Sequence, residues 1–349
     1  MGTPNMNTHQ KIKQDQFYLA SVDILQGISI FFVITWHTLL WRDHLIDSKW
    51  PNISLVVSSF MTIAMIIHPL FLYLYGFNVV NSLLRKNTEF ERRDSRTRLL
   101  KRTILFFIIA EFAEGATGLV TQPEYLLNFL FTWELFHLFA FSTIFLLLIF
   151  EISWKLEEKG ISRNYRKVSI SILALFLIFI LLIFLLIHDY TNSRMIETMY
   201  VDLTIDYILK RFIFEYGQNP LIPWLSFPIL GGIVAIFLNM PNEAKAVAVK
   251  KTRLTLFSGI APLILGIMFL RIERYLSAPV YYPASSSFVF ISIGAIILST
   301  ALLILFIDLK TYSTHQIEIK ILSPFIVISK ITLTIFIVHN VAFIIPPET

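Results

Sequence analysis

Long apolar runs separated by short polar segments organise the whole chain. They lie at about 21–41, 54–82, 100–120, 130–151, 168–188, 220–240, 255–271, 287–308 and 323–345. A helix that crosses a bilayer needs about 20 consecutive, mostly apolar residues. The run VSISILALFLIFILLIFLLI, from Val168 to Ile187, meets that requirement without a single charge. The expected fold class is therefore all-α, a polytopic membrane helical bundle of about nine transmembrane helices, with nine to eleven as the range, in one domain over 1–349. Residues 1–20 read as a polar cytoplasmic tail. Pro69, Pro223 and Pro228 inside these runs do not exclude spans, because packed neighbours can satisfy the backbone groups a proline frees. The segment 189–219 contains VDLTIDYILKRFIFEY, whose apolar positions recur at helical spacing among charges. It reads either as an amphipathic helix lying on the membrane surface or as a short re-entrant element. Nothing in the sequence marks a linker, a low-complexity stretch or a repeat of fixed period.

Composition agrees with this pattern. Hydrophobic residues make up 56% of the 349 positions and charged residues 15%; soluble domains carry about one-quarter charged residues. The mean hydropathy is +0.69. The chain has no cysteine, which excludes disulfides, thiolate nucleophiles and Cys-ligated zinc or iron–sulfur centres. The net charge of +5 does not form one stripe, so nucleic acid is not an expected partner; the bilayer is. With the N-terminus in the cytoplasm, the inner segments carry 21 Lys and Arg and the outer segments seven, with Lys330 inside a span. That asymmetry is what the positive-inside rule requires of nine spans with the C-terminus outside. The expected location is a cell membrane, multi-pass. No small-residue cleavage site follows the first run, so the first span is expected to be retained, and Gly2 lies in a poor match to a myristoylation signal.

Ionisable side chains within a bilayer are costly and need a partner, a cavity or a function. In the first span Asp23 and Gln26 lie near the inner end. His37 is eleven residues beyond Gln26, about 16 Å farther along a helix. The third span carries Glu111 and Glu114 at i, i+3 spacing, and the fourth repeats that spacing with Glu134 and His137. The last holds Lys330, and His339 with Asn340 in its outer half. With alternating helix directions, His37, Glu111, Glu114, Glu134, His137 and His339 fall into one outer layer, the arrangement of an active-site vestibule. A buried network of ion pairs and hydrogen bonds with no chemical role would use the same residues. His68 before Pro69 reads as a packing residue. Lys330 either snorkels to the inner surface or lines a polar cavity. The run RKNTEFERRDSRTRLLKR reads as a solvated inner loop that sets orientation.

The segment SVDILQGISIFFVITWH resembles the opening helix of the transmembrane acyltransferase superfamily, which includes the acyltransferase-3 proteins and the heparan-alpha-glucosaminide N-acetyltransferase family. Asp23, Gly27 and His37 match that opening, and Gln26 stands where the family normally has arginine. HPLFLYLYGFNVVNSLLRK, LLKRTILFFIIAEFAEG, WELFHLFAFS, NPLIPWLSFPILGGIVA and ISKITLTIFIVHN resemble later helices of the group, in its order. The likeness is closest to the heparan-alpha-glucosaminide N-acetyltransferase-like family and covers nearly the whole chain.

The resemblance implies transfer of an acyl group, most often acetyl, from cytoplasmic acyl-coenzyme A to an outer-side acceptor such as a sugar amine or hydroxyl. It implies acetyl-coenzyme A as co-substrate and no tightly bound cofactor or metal. His37 would be the general base or a transient acyl carrier, with Glu111 or Glu134 orienting it and His339 in the same layer. His44 approximates the position of the heparan family's catalytic histidine, in the outer loop after the first helix. Asp23, Gln26, Glu114, His137, Lys330 and Asn340 would bind substrates. A neutral Gln26 cannot make the bidentate, charge-assisted contacts of an arginine. Inner-loop Lys and Arg residues take over that role, or the chain is a divergent member with another donor, or one without activity.

Two readings from other classes stand beside the enzyme. A polar intramembrane cavity also suits a transporter or flippase for a small polar or lipid-linked molecule, although no inverted repeat is visible. A haem protein would draw axial ligands from His37, His68, His137 and His339, which sit at different depths. The sequence leaves a homodimer open.

Overall fold

The computed structural model describes residues 19–49, 66–84, 88–121, 135–194, 221–238, 245–276, 285–309, 317–332 and 334–335, apart from the side chains of 36–49, 113–121, 187–194, 245, 273–276 and 317–321. Among these residues all regular structure is helical. The helices are α1 (Ala20–Lys49), α2 (Ile67–Leu84), α3 (Glu89–Thr121), α4 (Leu135–Glu158), α5 (Tyr165–Arg194), α6 (Leu221–Trp224), α7 (Ser226–Leu238), α8 (Lys245–Leu276), α9 (Ser286–Leu303) and α10 (Ile317–Lys330). α9 continues into a π-helical turn, Ile304–Leu309. Each of the nine apolar runs carries helix in its described part. Among the described residues six stretches are long and apolar enough to cross a bilayer. α6 and α7 share one run, broken where Ile222 leaves helical conformation before Pro223, as the steric restriction on a pre-proline residue requires.

Several helix boundaries differ from the sequence reading. α3 begins at Glu89 rather than near 100, so residues 89–102, read as part of a solvated loop, are helical, and α8 begins at Lys245 rather than near 255. α1 runs to Lys49 rather than stopping near residue 41, so His44 lies on a helix and not in a loop. The segment 42–49 has no glycine or proline, and the first helix breaker downstream is Pro51, whose effect falls on the residue before it. The helix of the second run begins at Ile67, with Pro69 in its first turn, where a missing N–H costs nothing. The remainder of that run, 54–65, lies outside the described residues, as does 195–219 of the surface segment.

α2 is the hub, packing on α1, α3, α4, α7 and α9. Its tightest contact is with α7. A side chain at Gly76 would run into the Pro228 backbone, and one at Gly231 into the Tyr73 backbone, so only glycine permits this approach. Small residues of this kind let membrane helices close without a hydrophobic driving force. Around the contact Tyr73, Phe77, Phe150, Trp224 and Phe227 are fully buried.

α5 and α8 are peripheral: 22% and 17% of their apolar stretches are buried, against 67–72% for α2, α4 and α6–α7. Their exposed large apolar side chains, such as Leu175, Phe179, Leu186, Ile264 and Met268, form the lipid-facing surface. α8 packs chiefly on α9, and α10 chiefly on α1.

The turn between α4 and α5 is closed by Gly160 at φ 70°. Its N–H donates to Glu157, and the Ile161 and Ser162 N–H groups donate to Leu156. This is the left-handed helix stop that glycine favours. Asn164 then caps α5, its Oδ1 accepting from the N–H groups of Arg166 and Lys167.

Candidate functional site

α3 and α4 run antiparallel, and three polar rungs join them. At the first, the Arg92 guanidinium lies over the Trp154 ring at 4.9 Å and the Tyr165 ring at 5.7 Å, with Glu158 4.0 Å away. At the second, Arg96 Nη1 donates to Glu151 Oε1 at 3.1 Å. At the third, His137 Nε2 meets Glu111 Oε1 at 3.0 Å. Arg96 and Glu111 are 15 residues apart on α3, about 22 Å at helical rise, within the roughly 30 Å hydrocarbon thickness. The two ends therefore differ chemically. One holds arginines braced by aromatic rings, and the other holds an imidazole–carboxylate pair.

The pair is built so that one partner is fixed and the other presented. His137 is 3% exposed and Glu111 47% exposed. The imidazole packs edge-on to Phe107 at 5.7 Å, one helical turn before Glu111 on α3. A buried imidazole with one nitrogen on a carboxylate is held in orientation, while the half-exposed carboxylate reaches outward. Nearer mid-depth, the Tyr75 and Thr143 hydroxyls are hydrogen-bonded. Thr143 spends its only proton on the Phe139 carbonyl, so Tyr75 donates to Thr143 and is itself held by stacking on Phe139 at 4.3 Å.

A second polar region lies between α1 and α2. Gln26 Oε1 accepts from Asn78 Nδ2 at 2.8 Å. Beside this bond opens a cleft of about 210 Å3 lined by Leu19, Val22, Asp23, Phe77, Asn78, Asn81 and Ser82. α2 runs from the level of Thr143 at Tyr75 toward the arginine end, so the cleft belongs to that end. Asp23 lies in the first turn of α1, where a carboxylate suits the positive end of the helix dipole.

Of the expected site residues, Glu111 and His137 are brought together, and Asp23 and Gln26 lie in and beside the cleft. Lys330 is exposed in the last turn of α10. His37 and His44 lie on α1 and Glu114 on α3, with side chains outside the described residues; Glu134, His339 and Asn340 also lie outside them. His68 packs on the Trp224 ring at 5.0 Å. The described histidines thus form no bis-His pair.

Sequence reasoning missed Asp308. It is buried in the π-helical turn and accepts from the Ala20 N–H at 2.8 Å and from the Ser21 hydroxyl. A helix N-terminus leaves its first N–H groups without intrahelical partners, and here a distant helix end supplies the acceptor for α1. The signal was a lone acid in the last turn of an apolar span. Asn78 and Tyr75 were missed for a different reason, since only α2 packing reveals which neighbours they meet.

A family model described as an acyltransferase domain matches residues 19–345, nearly the whole chain. Neither a curated protein nor a solved structure matches it.

Proposed function

Because the chain belongs to the acyltransferase-3 family of multi-pass membrane acyltransferases, we propose that it moves an acetyl group from cytoplasmic acetyl-coenzyme A to an amine or hydroxyl, such as that of a sugar, on the outer side. The observation that carries this reading is the two-ended α3–α4 pair: Arg92 and Arg96 at one end, Glu111 and His137 about 22 Å along the helices at the other. The positive-inside rule sets the arginine end in the cytoplasm, where donor phosphates are met. N-terminus in and C-terminus out follow from the same charge count.

In the reaction the acceptor N–H or O–H gives its proton to a base as its lone pair attacks the thioester carbonyl. The carbon–sulfur bond breaks, and coenzyme A leaves as the thiol after taking up a proton. His37, His44, Glu111, Glu134 and His339 are the candidates for that proton work, with His137 beside Glu111. Glu111 carries the strongest geometric support, being fixed by His137 yet half exposed. A short-lived acyl group on His37 is the two-step version of the same chemistry. Asp23, Gln26, Glu114, Lys330 and Asn340 complete the substrate contacts. A closer kinship to the heparan-alpha-glucosaminide N-acetyltransferase-like family rests on the opening helix and on His44, which here sits on α1 and not in a loop.

The test is acetyl-coenzyme A binding and thiol release by the purified chain in detergent, with wild type beside His37→Ala and Glu111→Gln. Since the protein has no cysteine, a thiol reagent reads coenzyme A release without protein background. Binding with release that falls in both variants supports the proposal. Absence of binding and of release in the wild type overturns it.

A further inference from the structure

Where α3, α4 and α5 meet at the arginine end, three buried side-chain donors have no hydrogen-bond partner among the described residues: Arg92 Nε, Trp154 Nε1 and Ser169 Oγ. Arg92 stands in the first turn of α3, Trp154 near the end of α4 and Ser169 near the start of α5. Ring contacts make them one cluster. The guanidinium lies 4.9 Å from the Trp154 ring and 5.7 Å from that of Tyr165, and the two rings are 6.2 Å apart. Ser169 follows Tyr165 by one helical turn on the same face of α5. Trp154 is 3% exposed and Ser169 fully buried, so bulk water does not reach them. A buried donor without an acceptor costs roughly 1–3 kcal/mol. Guanidinium and indole nitrogens can only donate, so the matching group is an oxygen anion with several lone pairs.

Charge around the cluster also favours an anion. The carboxylates on these helix ends are engaged: Glu151 with Arg96 at 3.1 Å, Glu157 with the Tyr165 N–H at 3.2 Å and Asp94 with Arg98 at 2.9 Å. Glu158 is 63% exposed and 4.0 Å from Arg92 Nη1, too far for a hydrogen bond and screened by solvent. α5 opens with Arg166 and Lys167 and has no acid in its first turn, where the positive end of the helix dipole favours negative charge.

The surroundings select a lipid over a soluble phosphate. From Trp154 toward the Glu111–His137 end, Ile152, Leu148 and Ile144 recur at every fourth position of α4 and are exposed, as are Leu175 and Phe179 on α5. These faces lead hydrocarbon chains directly to the cluster. Trp, Tyr and cations together at the end of apolar spans mark the depth of lipid headgroups. We infer that Arg92, Trp154 and Ser169 form a site for the phosphodiester of an anionic phospholipid, whose chains lie along α4 and α5. The headgroup reaches the covered donors by moving the Arg92 side chain off its 4.0 Å approach to Glu158. This inference goes beyond acyl transfer and does not depend on it. The site shares Arg92 with the proposed donor rim, so the test separates lipid from nucleotide.

The experiment is equilibrium binding to the full chain in detergent with dioleoylphosphatidylglycerol, dioleoylglycerol, inorganic phosphate and adenosine 3′,5′-bisphosphate. It is run in about 1 M salt, where the screening length falls to about 3 Å and diffuse surface attraction is removed. Trp154→Phe keeps a ring and loses the N–H; Ser169→Ala loses the hydroxyl. Without lipid both variants should keep or raise the thermal midpoint, because each removes a donor that has no partner. Where one variant does not fold, the other carries the test. Dioleoylphosphatidylglycerol should bind the wild type and raise its midpoint, with at least about a tenfold loss of affinity in each variant, the worth of a hydrogen bond to a charged group. Dioleoylglycerol, with the same chains and no phosphate, should bind at least about tenfold more weakly than the anionic lipid.

Three results overturn the inference. One is equal affinity for the two lipids, and another is wild-type affinity for dioleoylphosphatidylglycerol in both variants. The third is displacement of the lipid by inorganic phosphate or adenosine 3′,5′-bisphosphate that itself weakens in the same variants, which would assign the cluster to a soluble phosphate. None of the probes is an acyl donor, so the outcome is read independently of turnover.

Discussion

Replacing Glu111 by glutamine removes a charge and keeps the shape of the side chain, which makes Glu111→Gln the sharpest probe of the Glu111–His137 pair. The contact to His137 is 3.0 Å long, with the imidazole 3% and the carboxylate 47% exposed. Interhelical hydrogen bonds in membrane proteins average about 0.6 kcal/mol and reach about 1.7. The half-exposed carboxylate also loses part of any charge contribution to solvent. The expected stability loss is therefore about 1 kcal/mol or less, and the thermal midpoint in detergent should fall by only a few degrees. The effect on rate is of another order. A positioned proton acceptor or its orienting partner contributes about 10²–10⁴-fold, equal to about 2.7–5.4 kcal/mol of barrier. The assay is release of coenzyme A thiol, with the midpoint read on the same sample. A rate within twofold of wild type at an unchanged midpoint would refute the role of Glu111. A collapse of the midpoint with the rate would show that the pair is structural.

Other substitutions test the frame that holds the site. Gly76→Leu forces a side chain into the Pro228 backbone at the α2–α7 crossing; overpacking of this kind costs about 1–3 kcal/mol or more, read as a lower midpoint or loss of the monodisperse peak. Asp308→Ala strips the acceptor from the Ala20 N–H and the Ser21 hydroxyl and should cost about 1–3 kcal/mol, whereas Asp308→Asn keeps one acceptor oxygen and should cost less; equal midpoints for the two would contradict the capping role. Arg96→Ala breaks a partly exposed ion pair with Glu151 worth below about 1 kcal/mol in stability, yet it should raise the KM for acetyl-coenzyme A several-fold with little change in kcat.

Much of the fold was legible because a bilayer leaves few choices: an apolar run of some 20 residues must satisfy its backbone internally and becomes a helix. Each of the nine runs carries helix in its described part. The end of α1 was misread, since hydropathy falls near residue 41 while the helix continues through polar residues to Lys49. Hydropathy reports where lipid ends, and helix termination follows Gly, Pro and capping instead. For the site, the i, i+3 spacing singled out Glu111 and His137 but did not reveal that they face each other, because helix rotation is set by packing. Gln26 stood out in the sequence as a missing arginine. Its bond to Asn78 depends on the α1–α2 contact, and no pattern along either helix encodes that contact. The partners of Asp308 were hidden for the same reason, lying 287 and 288 positions away.

The central claim is that acyl transfer runs from an arginine-lined cytoplasmic end to the Glu111–His137 end. The most direct measurement uses sealed vesicles carrying the purified chain, with labelled acetyl-coenzyme A on one side of the membrane and glucosamine on the other. The account predicts thiol release on the donor side and labelled acetyl-glucosamine in the opposite compartment, both lost in His37→Ala and reduced at least about a hundredfold in Glu111→Gln. Thiol release and acetylated product no greater than in protein-free vesicles would contradict it.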